Sequence, residues 1–273
     1  MLHFKTFFLQ NASLLEVLLY AFVIILLWSG EIIVCLDTPL EKWRHTKVNA
    51  MFIFSALAIQ LSLTTFVLAI AHWVGVHEWG LVYFIPNHKN TWVFFISTFI
   101  MLDFCEYVYH VVMHKVKLFW KFHLIHHSDH DVDVSTTVRE HPVETAIRVC
   151  CSMLWVFISG ASLGTLIIRQ TFQTISNLLA HSKIDFPYEI QRVYGILFIT
   201  PDLHRVHHHY ERPHTDSNYG DVLSIWDRIF GTFREMDKTE IIYGIDTHFD
   251  IVKDKNFLGI LKVPFIKSPY KKD

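Results

Sequence analysis

Histidine is the residue type with the most evident chemistry in this sequence. There are 19 histidines among 273 residues, and 13 of the 19 fall between His110 and His214. Residues three or four apart on a helix share a face, so each of three close clusters would present its imidazoles together. The clusters are His110-Val-Val-Met-His114, His123-Leu-Ile-His126-His127 and His204-Arg-Val-His207-His208.

These eight imidazoles are too many for one metal ion, because a structural zinc takes four ligands and a catalytic zinc usually takes three from the protein. Imidazole suits zinc, copper, iron and nickel. The spacing therefore predicts a dinuclear transition-metal site without naming the metal. The roles of four further histidines in the same region stay open, with a supporting or surface position favoured over a ligand role: His130, His141, His209 and His214.

A histidine that binds a metal usually donates its other ring N–H to a carboxylate or a carbonyl. The acidic candidates for this role are Glu106, Glu140, Asp202, Asp216 and Asp227. We favour Asp202, although an acidic residue there would also stabilise a helix N-terminus. Thr200-Pro201 before it predicts that a helix starts there, with Thr200 as the N-cap.

The composition is that of a membrane protein. Hydrophobic residues make up 52% of the chain and charged residues only 18%, with a mean hydropathy of +0.30. The net charge of −2 gives no reason to expect a nucleic-acid partner. The four cysteines lie in apolar segments and form no C-x-x-C pair, so they are interpreted as small hydrophobic residues.

Apolar runs define the expected spans. Three long runs cover 14–36, 48–76 and 91–113, and a fourth covers 143–179 with small residues at 159–164 in its middle. The fourth run predicts a helical hairpin with arms that are short for a full span. Basic residues concentrate in the 37–47 loop, the 114–142 loop and the tail from 181, so these segments are expected to face the cytoplasm.

This topology would gather the clustered histidines on one face of the membrane. The main alternative is a histidine-rich membrane transporter of transition metals. Transport sites lie near the bilayer midplane on broken helices, whereas these histidines lie near the ends of the predicted spans. A scaffold without metal is a third possibility.

At this point the pattern resembles the fatty acid hydroxylase / sterol desaturase superfamily. The resemblance runs from about His110 to Phe233, and the first 90 residues contribute only hydropathy. Besides the three histidine clusters it is carried by Arg139-Glu140-His141-Pro142-Val143-Glu144, Asp185-Phe186-Pro187, Asn218-Tyr219-Gly220 and Trp226-Asp227-Arg228-Ile229-Phe230-Gly231-Thr232.

The resemblance implies a non-haem di-iron centre in an O2-dependent enzyme that hydroxylates or desaturates a lipid. It implies two iron ions as cofactor, with zinc able to replace them in a purified sample, and O2 as co-substrate. The implied metal ligands are His110, His114, His123, His126, His127, His181, His204, His207 and His208. Some members have histidine at the position of Asn177, which is therefore left out of the set.

The implied partners are a lipid substrate, the membrane lipids and a separate electron donor. Some relatives carry a fused cytochrome b5 domain with a His-Pro-Gly-Gly motif, but the His-Pro here, His141-Pro142, continues as Val143-Glu144. Electrons are therefore expected from cytochrome b5, a ferredoxin or a reductase. Sterols, fatty acyl chains, ether lipids, sphingoid bases and carotenoids all remain open as substrates, and hydroxylation is favoured over desaturation.

The predicted fold is all-α. It is a multi-pass membrane helical bundle with three long spans and a helical hairpin, and a cytoplasmic helical cap holds the dinuclear metal site. Residues 1–112 are expected to form the N-terminal transmembrane helices. Residues 113–273 are expected to form the histidine-rich catalytic region, which includes the hairpin and the C-terminal cap. The protein would lie in a bacterial plasma membrane or the endoplasmic reticulum.

Overall fold

The computed structural model describes residues 12–35, 38–246 and 256–266. Within these residues the protein is all-helical, apart from isolated antiparallel bridges that join Phe198 to Leu223 and His209 to Tyr243. The α-helices are α1 (Ala12–Val34), α2 (Pro39–Val76), α3 (Thr91–Lys115), α4 (Lys117–His127), α5 (Pro142–Ser159), α6 (Leu163–His181), α7 (Tyr188–Tyr194), α8 (Pro201–His207), α9 (Ile225–Phe230) and α10 (Phe257–Leu261). Short 3-10 turns lie at Leu81–Phe84, Val134–Val138, Lys238–Glu240 and Val263–Phe265.

Among the described residues, three helices are long and apolar enough to cross a membrane. They are α2 with the turn that follows it (Pro39–Phe84), α3, and the first hairpin arm α5. Large apolar side chains on these helices and on α1 point outward, among them Phe54, at 74% exposed, and Ile33, also at 74%. Such surfaces suit lipid as solvent, because contiguous apolar patches of this size are rare on soluble monomers.

The predicted break within the fourth apolar run is present between α5 and α6, and local chemistry explains it. Helix α5 ends at Ser159 because Gly160 adopts the left-handed conformation, with φ of 77°. Helix α6 then starts with Ser162 as its N-cap, whose side chain accepts a hydrogen bond from the Thr165 N–H. The second arm, α6, is not among the helices that qualify as spans.

The expectation that 37–47 forms a loop is wrong from Pro39 onward. Thr38 caps α2 and Pro39 occupies its first turn, so the helix starts nine residues before the apolar run. Lys42 therefore lies inside the first turns of the helix. Its ammonium is buried, where it forms ion pairs with Glu31 of α1 and with Asp133.

A buried apolar cluster joins the spans to the histidine-bearing helices. Phe52 of α2 packs with Leu124 and Ile125 of α4 and with residues of the C-terminal segment, including Phe257 and Ile260 of α10. Helix α4 is thereby packed against the N-terminal half of α2, and this contact positions the histidines that α4 carries.

Candidate metal centre

All nine histidines of the predicted ligand set are brought together at the ends of four helices. His110 and His114 lie on the last turns of α3, and His181 is the last residue of α6. Helix α4 carries His123, His126 and His127, and α8 carries His204 and His207 with His208 as its C-cap. Thr200 caps α8 as expected, since its side chain accepts from the Leu203 N–H at 3.3 Å.

The nine imidazoles divide into two groups, and in each group the nitrogens that could bind a metal lie within 4.8 Å of one another. The five-histidine group is His110, His114, His123, His127 and His207. The four-histidine group is His126, His181, His204 and His208. The groups are neighbours, since the rings of His127 and His208 stack with centroids 4.6 Å apart.

In the five-histidine group, hydrogen bonds settle which nitrogen faces the centre. His110 Nδ1 donates to the Tyr219 carbonyl at 2.9 Å, His207 Nδ1 to the Ser217 carbonyl at 2.7 Å, and His123 Nδ1 to the Glu144 carboxylate at 2.6 Å. Carbonyl and carboxylate oxygens only accept, so each Nδ1 carries the proton. Each Nε2 is left with a free lone pair, and all three are buried without a hydrogen-bond partner.

In the four-histidine group the ring nitrogens themselves converge. His181 Nε2 lies 3.0 Å from His126 Nε2, 2.9 Å from His204 Nε2 and 3.2 Å from His208 Nε2. Two nitrogens bound to one ion at roughly 2.0–2.1 Å are about 3.3 Å apart in a tetrahedron and about 3.0 Å apart at adjacent octahedral positions. The observed spacings fit nitrogens that share one ion.

Hydrogen bonds between the rings do not account for this convergence. His181 Nδ1 donates to the Asn177 carbonyl at 2.8 Å, so the Nε2 of His181 is an acceptor that meets three other nitrogens. One lone pair cannot satisfy three neighbours. A cation at the centre of each group satisfies all of them, so the donor set fits a pair of transition-metal ions.

Burial keeps the imidazole rings in their neutral form, which can bind a metal ion. Burial lowers the pKa of His123 to about 4. Burial and then the neighbouring imidazoles hold the pKa values of His126, His127 and His208 well below the usual value. Metal binding requires neutral imidazole, and at neutral pH these rings hold no proton that a metal ion must displace.

A buried polar network fixes the end of α4, which carries three of the histidines. The guanidinium of Arg139 donates to the Ile125 carbonyl, to Ser128 Oγ and to Asn49 Oδ1, each at 2.9 Å. Asp129 is held beside it: burial alone would raise the pKa of its carboxyl, but the charges of Arg139 and His45 outweigh burial and lower that pKa. The network ties α4 to α2.

Of the predicted orienting carboxylates, Asp216 approaches a grouped histidine but forms no hydrogen bond with its ring. Asp216 lies 3.4 Å from His114 Nδ1, as one of the predicted candidates. The preference for Asp202 was wrong, because its carboxylate pairs with Arg205 at 3.4 Å and with Lys238 at 3.0 Å on the outer side of α8.

The other three acidic candidates bind groups that are not histidines. Glu106 pairs with Arg169 at 3.5 Å, and Glu140 pairs with Arg148 at 3.0 Å. Asp227 accepts from the Tyr219 N–H at 2.7 Å and from the Gly220 N–H at 2.8 Å. It thereby holds the peptide whose carbonyl orients His110.

Sequence reasoning missed Glu144 and the carbonyls of Asn177, Ser217 and Tyr219. Glu144 stands in the Arg-Glu-His-Pro-Val-Glu stretch that carries part of the family resemblance, but sequence reasoning gave it no role.

The four histidines whose roles stayed open lie outside both groups. His141 caps α5, its Nδ1 accepting from the Val143 N–H, and His209 Nδ1 accepts from the Ile242 N–H. The His214 ring contacts that of His209, with centroids 5.4 Å apart. His130 lies just beyond α4.

A cavity of about 220 Å³ opens beside both groups. His110, His123, His126, His181 and His204 form its wall on the metal side. Polar side chains of α3, α5 and α6 form the opposite wall, together with Glu140. A small molecule in this cavity would lie against both groups at once.

Fold and site together define a helical membrane protein in which two adjacent groups of imidazoles, each able to hold a metal ion, lie beside a cavity. The fatty acid hydroxylase family matches residues 95–232, which contain all nine grouped histidines. The chain belongs to this family, and the resemblance seen in its motifs is confirmed.

Three similar proteins illustrate the range of relatives. Alkylglycerol monooxygenase of Homo sapiens is 32% identical over 166 residues, which is 58% of this chain and 34% of that protein. Ornithine lipid hydroxylase OlsE of Rhizobium tropici is 28% identical over 172 residues, 62% of this chain and 49% of that protein. Methylsterol monooxygenase 2-2 of Arabidopsis thaliana is 26% identical over 149 residues, 54% of this chain and 55% of that protein. The chain thus spans between about a third and just over half of these relatives, and no solved structure matches it.

Proposed function

We propose that this chain is a membrane-bound di-iron oxygenase that hydroxylates a C–H bond of a lipid. The observation that carries the proposal is the convergence of nine imidazoles into adjacent groups of five and four. Family membership supports iron as the metal. The names of the similar proteins, which are monooxygenases and a hydroxylase of lipids, support hydroxylation over desaturation.

In this proposal the five-histidine group holds one iron ion and the four-histidine group holds the other. When bound, such a pair supplies O2 activation and the removal of hydrogen from an unactivated C–H bond. One oxygen atom enters the product and the other leaves as water, with two electrons and two protons consumed. A separate protein, such as cytochrome b5, a ferredoxin or a reductase, would deliver the electrons.

The protein's own residues hold and tune the site. Glu144 keeps His123 in the tautomer that directs Nε2 inward and adds a negative charge near the cationic centre. The carbonyls of Tyr219, Ser217 and Asn177 do the same for His110, His207 and His181 without adding charge. The cavity beside the groups holds the substrate carbon close to the centre, so proximity lowers the barrier.

The proposed orientation places the metal centre at the cytoplasmic side of the membrane. Lys115, Lys117 and Lys121 lie on or next to α4, and Arg205 and Arg212 lie on or after α8. These basic residues flank the histidine-bearing ends of the helices, and excess lysine and arginine marks cytoplasmic segments. A soluble or peripheral electron donor would then reach the centre from the cytoplasm.

The test compares the purified protein in nanodiscs with His207→Ala and with His88→Ala, whose ring lies before the opposite end of α3. We expect His207→Ala to lose bound iron, measured by inductively coupled plasma mass spectrometry, while His88→Ala keeps it. Membranes from the same cells, supplied with isotope-labelled O2, should yield lipid that gains the mass of one labelled oxygen atom only where iron is retained. A His207→Ala protein with full iron content and product formation would refute the ligand assignment. Loss of two hydrogen atoms from the lipid would indicate desaturation.

A further inference from the structure

Helix α9 packs against the middle of α3 rather than against its end. The ring centroid of Phe104 lies 5.0 Å from that of Trp226 and 5.8 Å from that of Phe230. The neighbouring carboxylate, Asp103, accepts a hydrogen bond from the Trp226 indole N–H at 2.8 Å. These contacts fix the distance of α9 from both ends of α3.

The place of Phe104 along α3 sets its depth in a bilayer. Helix α3 is long and apolar enough to cross a membrane, and Trp92 in its first turn is 71% exposed. Tryptophan is enriched at membrane–water interfaces, so Trp92 marks one edge of the hydrocarbon. Phe104 comes twelve residues later, which is about 18 Å along the helix. Because the hydrocarbon core is about 30 Å thick, Phe104 and the α9 rings that touch it lie about 12 Å inside its other edge.

The exposed apolar surface of α3 continues onto α9. Trp92, Ile96 and Ile100 are exposed at intervals of four residues, which places them on one stripe of the helix. Phe104 follows at the same interval, and Phe230 packs against it. Phe230 and its neighbour Ile229 are themselves 54% and 61% exposed. The outer side of α9 therefore extends the surface that α3 presents to lipid.

A second exposed apolar surface adjoins α9. The Gly195 carbonyl accepts a hydrogen bond from Ser224 Oγ at 2.7 Å, so the end of α7 is held against the start of α9. Within α7, Ile190, Val193 and Tyr194 lie three and four residues apart and share a face. The exposed apolar residues of this segment are Tyr188, Ile190, Val193, Tyr194, Ile196 and Leu197. A helix with one apolar face suits the boundary between head groups and acyl chains.

The loop before α9 has protein partners where a bilayer would offer no water. Non-helical backbone at membrane depth is tolerated only where the protein itself satisfies its hydrogen bonds. Asp103, which is fully buried, accepts from the Val222 and Leu223 N–H groups at 3.3 Å each. Asp227 accepts from the N–H groups of residues 219 and 220. A carboxylate in the middle of a span is costly without such partners, so the loop also accounts for the acidic residue at position 103.

We propose that α9 and the exposed face of the α7 segment are immersed in the lipid leaflet on the side of the metal centre. Hydrocarbon surrounds Ile229 and Phe230, and the apolar side chains of 188–197 lie at the boundary between acyl chains and head groups. The C-terminal region thus lies partly in the membrane instead of wholly on its surface. This inference depends on α3 crossing the membrane and not on the proposed oxygenase function.

Spin labels on the full chain in nanodiscs test the depth. The four native cysteines are replaced by alanine, and zinc, which has no unpaired electrons, occupies the metal centre. Single labelling sites are introduced by Ile229→Cys and Ile242→Cys. Phe54→Cys, on the exposed face of α2, is the reference for lipid-facing surface.

Ile242 is the matched control, because it is also an exposed isoleucine of the C-terminal region, at 51%. Its carbonyl accepts from the Tyr210 N–H at 2.8 Å. The loop from Tyr210 continues to Asp216, which pairs with Lys115 at 2.9 Å at the end of α3. Lys115 lies roughly 35 Å from Trp92 along the helix, beyond the hydrocarbon core.

The readout is the collision rate of each label with O2, which concentrates in lipid, relative to that with a water-soluble nickel chelate. We expect this ratio to be severalfold higher at 229 than at 242 and to match the ratio at 54. A label at 229 that is as open to the chelate as the label at 242 would overturn the inference. Shielding from both reagents would overturn it as well, and dipolar coupling between labels on two chains would then identify a second copy as the occupant. Bound zinc at the level of the unlabelled protein shows that each variant is folded.

A charge at the same positions gives a second readout. Ile229→Asp places a carboxylate where the inference puts hydrocarbon, so its melting temperature in nanodiscs should fall well below that of Ile229→Ala. Ile242→Asp and Ile242→Ala, on the water-facing side, should melt at the same temperature. Equal melting temperatures for the two variants at 229 would overturn the immersion of α9, whether or not the protein oxidises lipid.

Discussion

The contact between His123 and Glu144 gives the sharpest quantitative prediction. The Nδ1–Oε1 distance is 2.6 Å, and both side chains are nearly inaccessible, at 7% and 4% exposed. Glu144→Gln keeps the shape and the acceptor oxygen but removes the charge. Carboxylate partners of metal-binding histidines are typically worth 10–100-fold in metal affinity. A tenfold loss corresponds to about 1.4 kcal/mol.

The short, buried geometry places this contact within that range rather than below it, because a charge-assisted bond in a protein interior is stronger than a neutral one. We therefore expect Glu144→Gln to weaken iron binding by roughly 10- to 30-fold. The assay is competition with a chelator of known affinity on purified protein in nanodiscs, with bound iron measured after dialysis. Circular dichroism of the same samples would show whether helix content is unchanged.

Asp202→Asn is the matched control. Asp202 is the carboxylate favoured by sequence reasoning, whereas the structure pairs it with Arg205 and Lys238. We expect this variant to keep iron affinity within about twofold of the unmodified protein. If Asp202→Asn weakened iron binding and Glu144→Gln did not, the assignment of the orienting carboxylate would be refuted.

Three further predictions concern the framework around the centre. Arg139→Lys removes the guanidinium group, which donates to three acceptors at once. We expect a lower melting temperature and a smaller fraction of iron bound. An unchanged melting temperature would contradict this. The pKa of the Asp133 carboxyl is about 2, because the hydrogen bonds and charges of His45 and Lys42 outweigh burial, which alone would raise it. The ionised carboxylate therefore stabilises the fold above pH 3.8, and this stability is lost as the pH falls towards 2. Asp133→Asn should therefore cost about 2 kcal/mol in metal-free protein at neutral pH, and the difference in melting temperature should shrink below about pH 4 and not above it. Gly160→Ala should destabilise the fold by at least about 1 kcal/mol, because φ is +77° and the added Cβ would lie 2.5 Å from a backbone carbonyl. Gly164→Ala should not, because the nearest atom to its added Cβ would be Ser162 Oγ at 3.9 Å, an ordinary contact.

The spacing rule for the histidines shows how far sequence alone could reach. Helical periodicity correctly predicted that the members of each cluster share a face, because that relation is local. It could not divide them between two ions. In the structure, partners four apart share a group, as do His123 with His127 and His204 with His208, while the histidine three apart joins the other group. From the sequence, the histidines three and four residues after the first were equally good candidates to share its metal ion, since both lie on the same face of the helix.

The local signals gave the helices and their ends, because the N-cap at Thr200, the small-residue break at 159–164 and the lengths of the apolar runs act over a few residues. They failed at Lys42, where basic residues were taken as loop, although Thr38-Pro39 starts a helix and the lysine has a buried acidic partner 91 residues away.

Only the tertiary structure decided which groups orient the histidines and what lines the cavity. The Tyr219 carbonyl lies 109 residues from His110, and Glu144 lies 21 residues from His123. No periodicity relates positions so far apart, so their meeting depends on how α3, α4, α5 and the loop before α9 pack. Residue types and local spacing determined that this protein gathers imidazoles. The packing of its helices determined how those imidazoles are divided into two groups, oriented and brought beside a cavity.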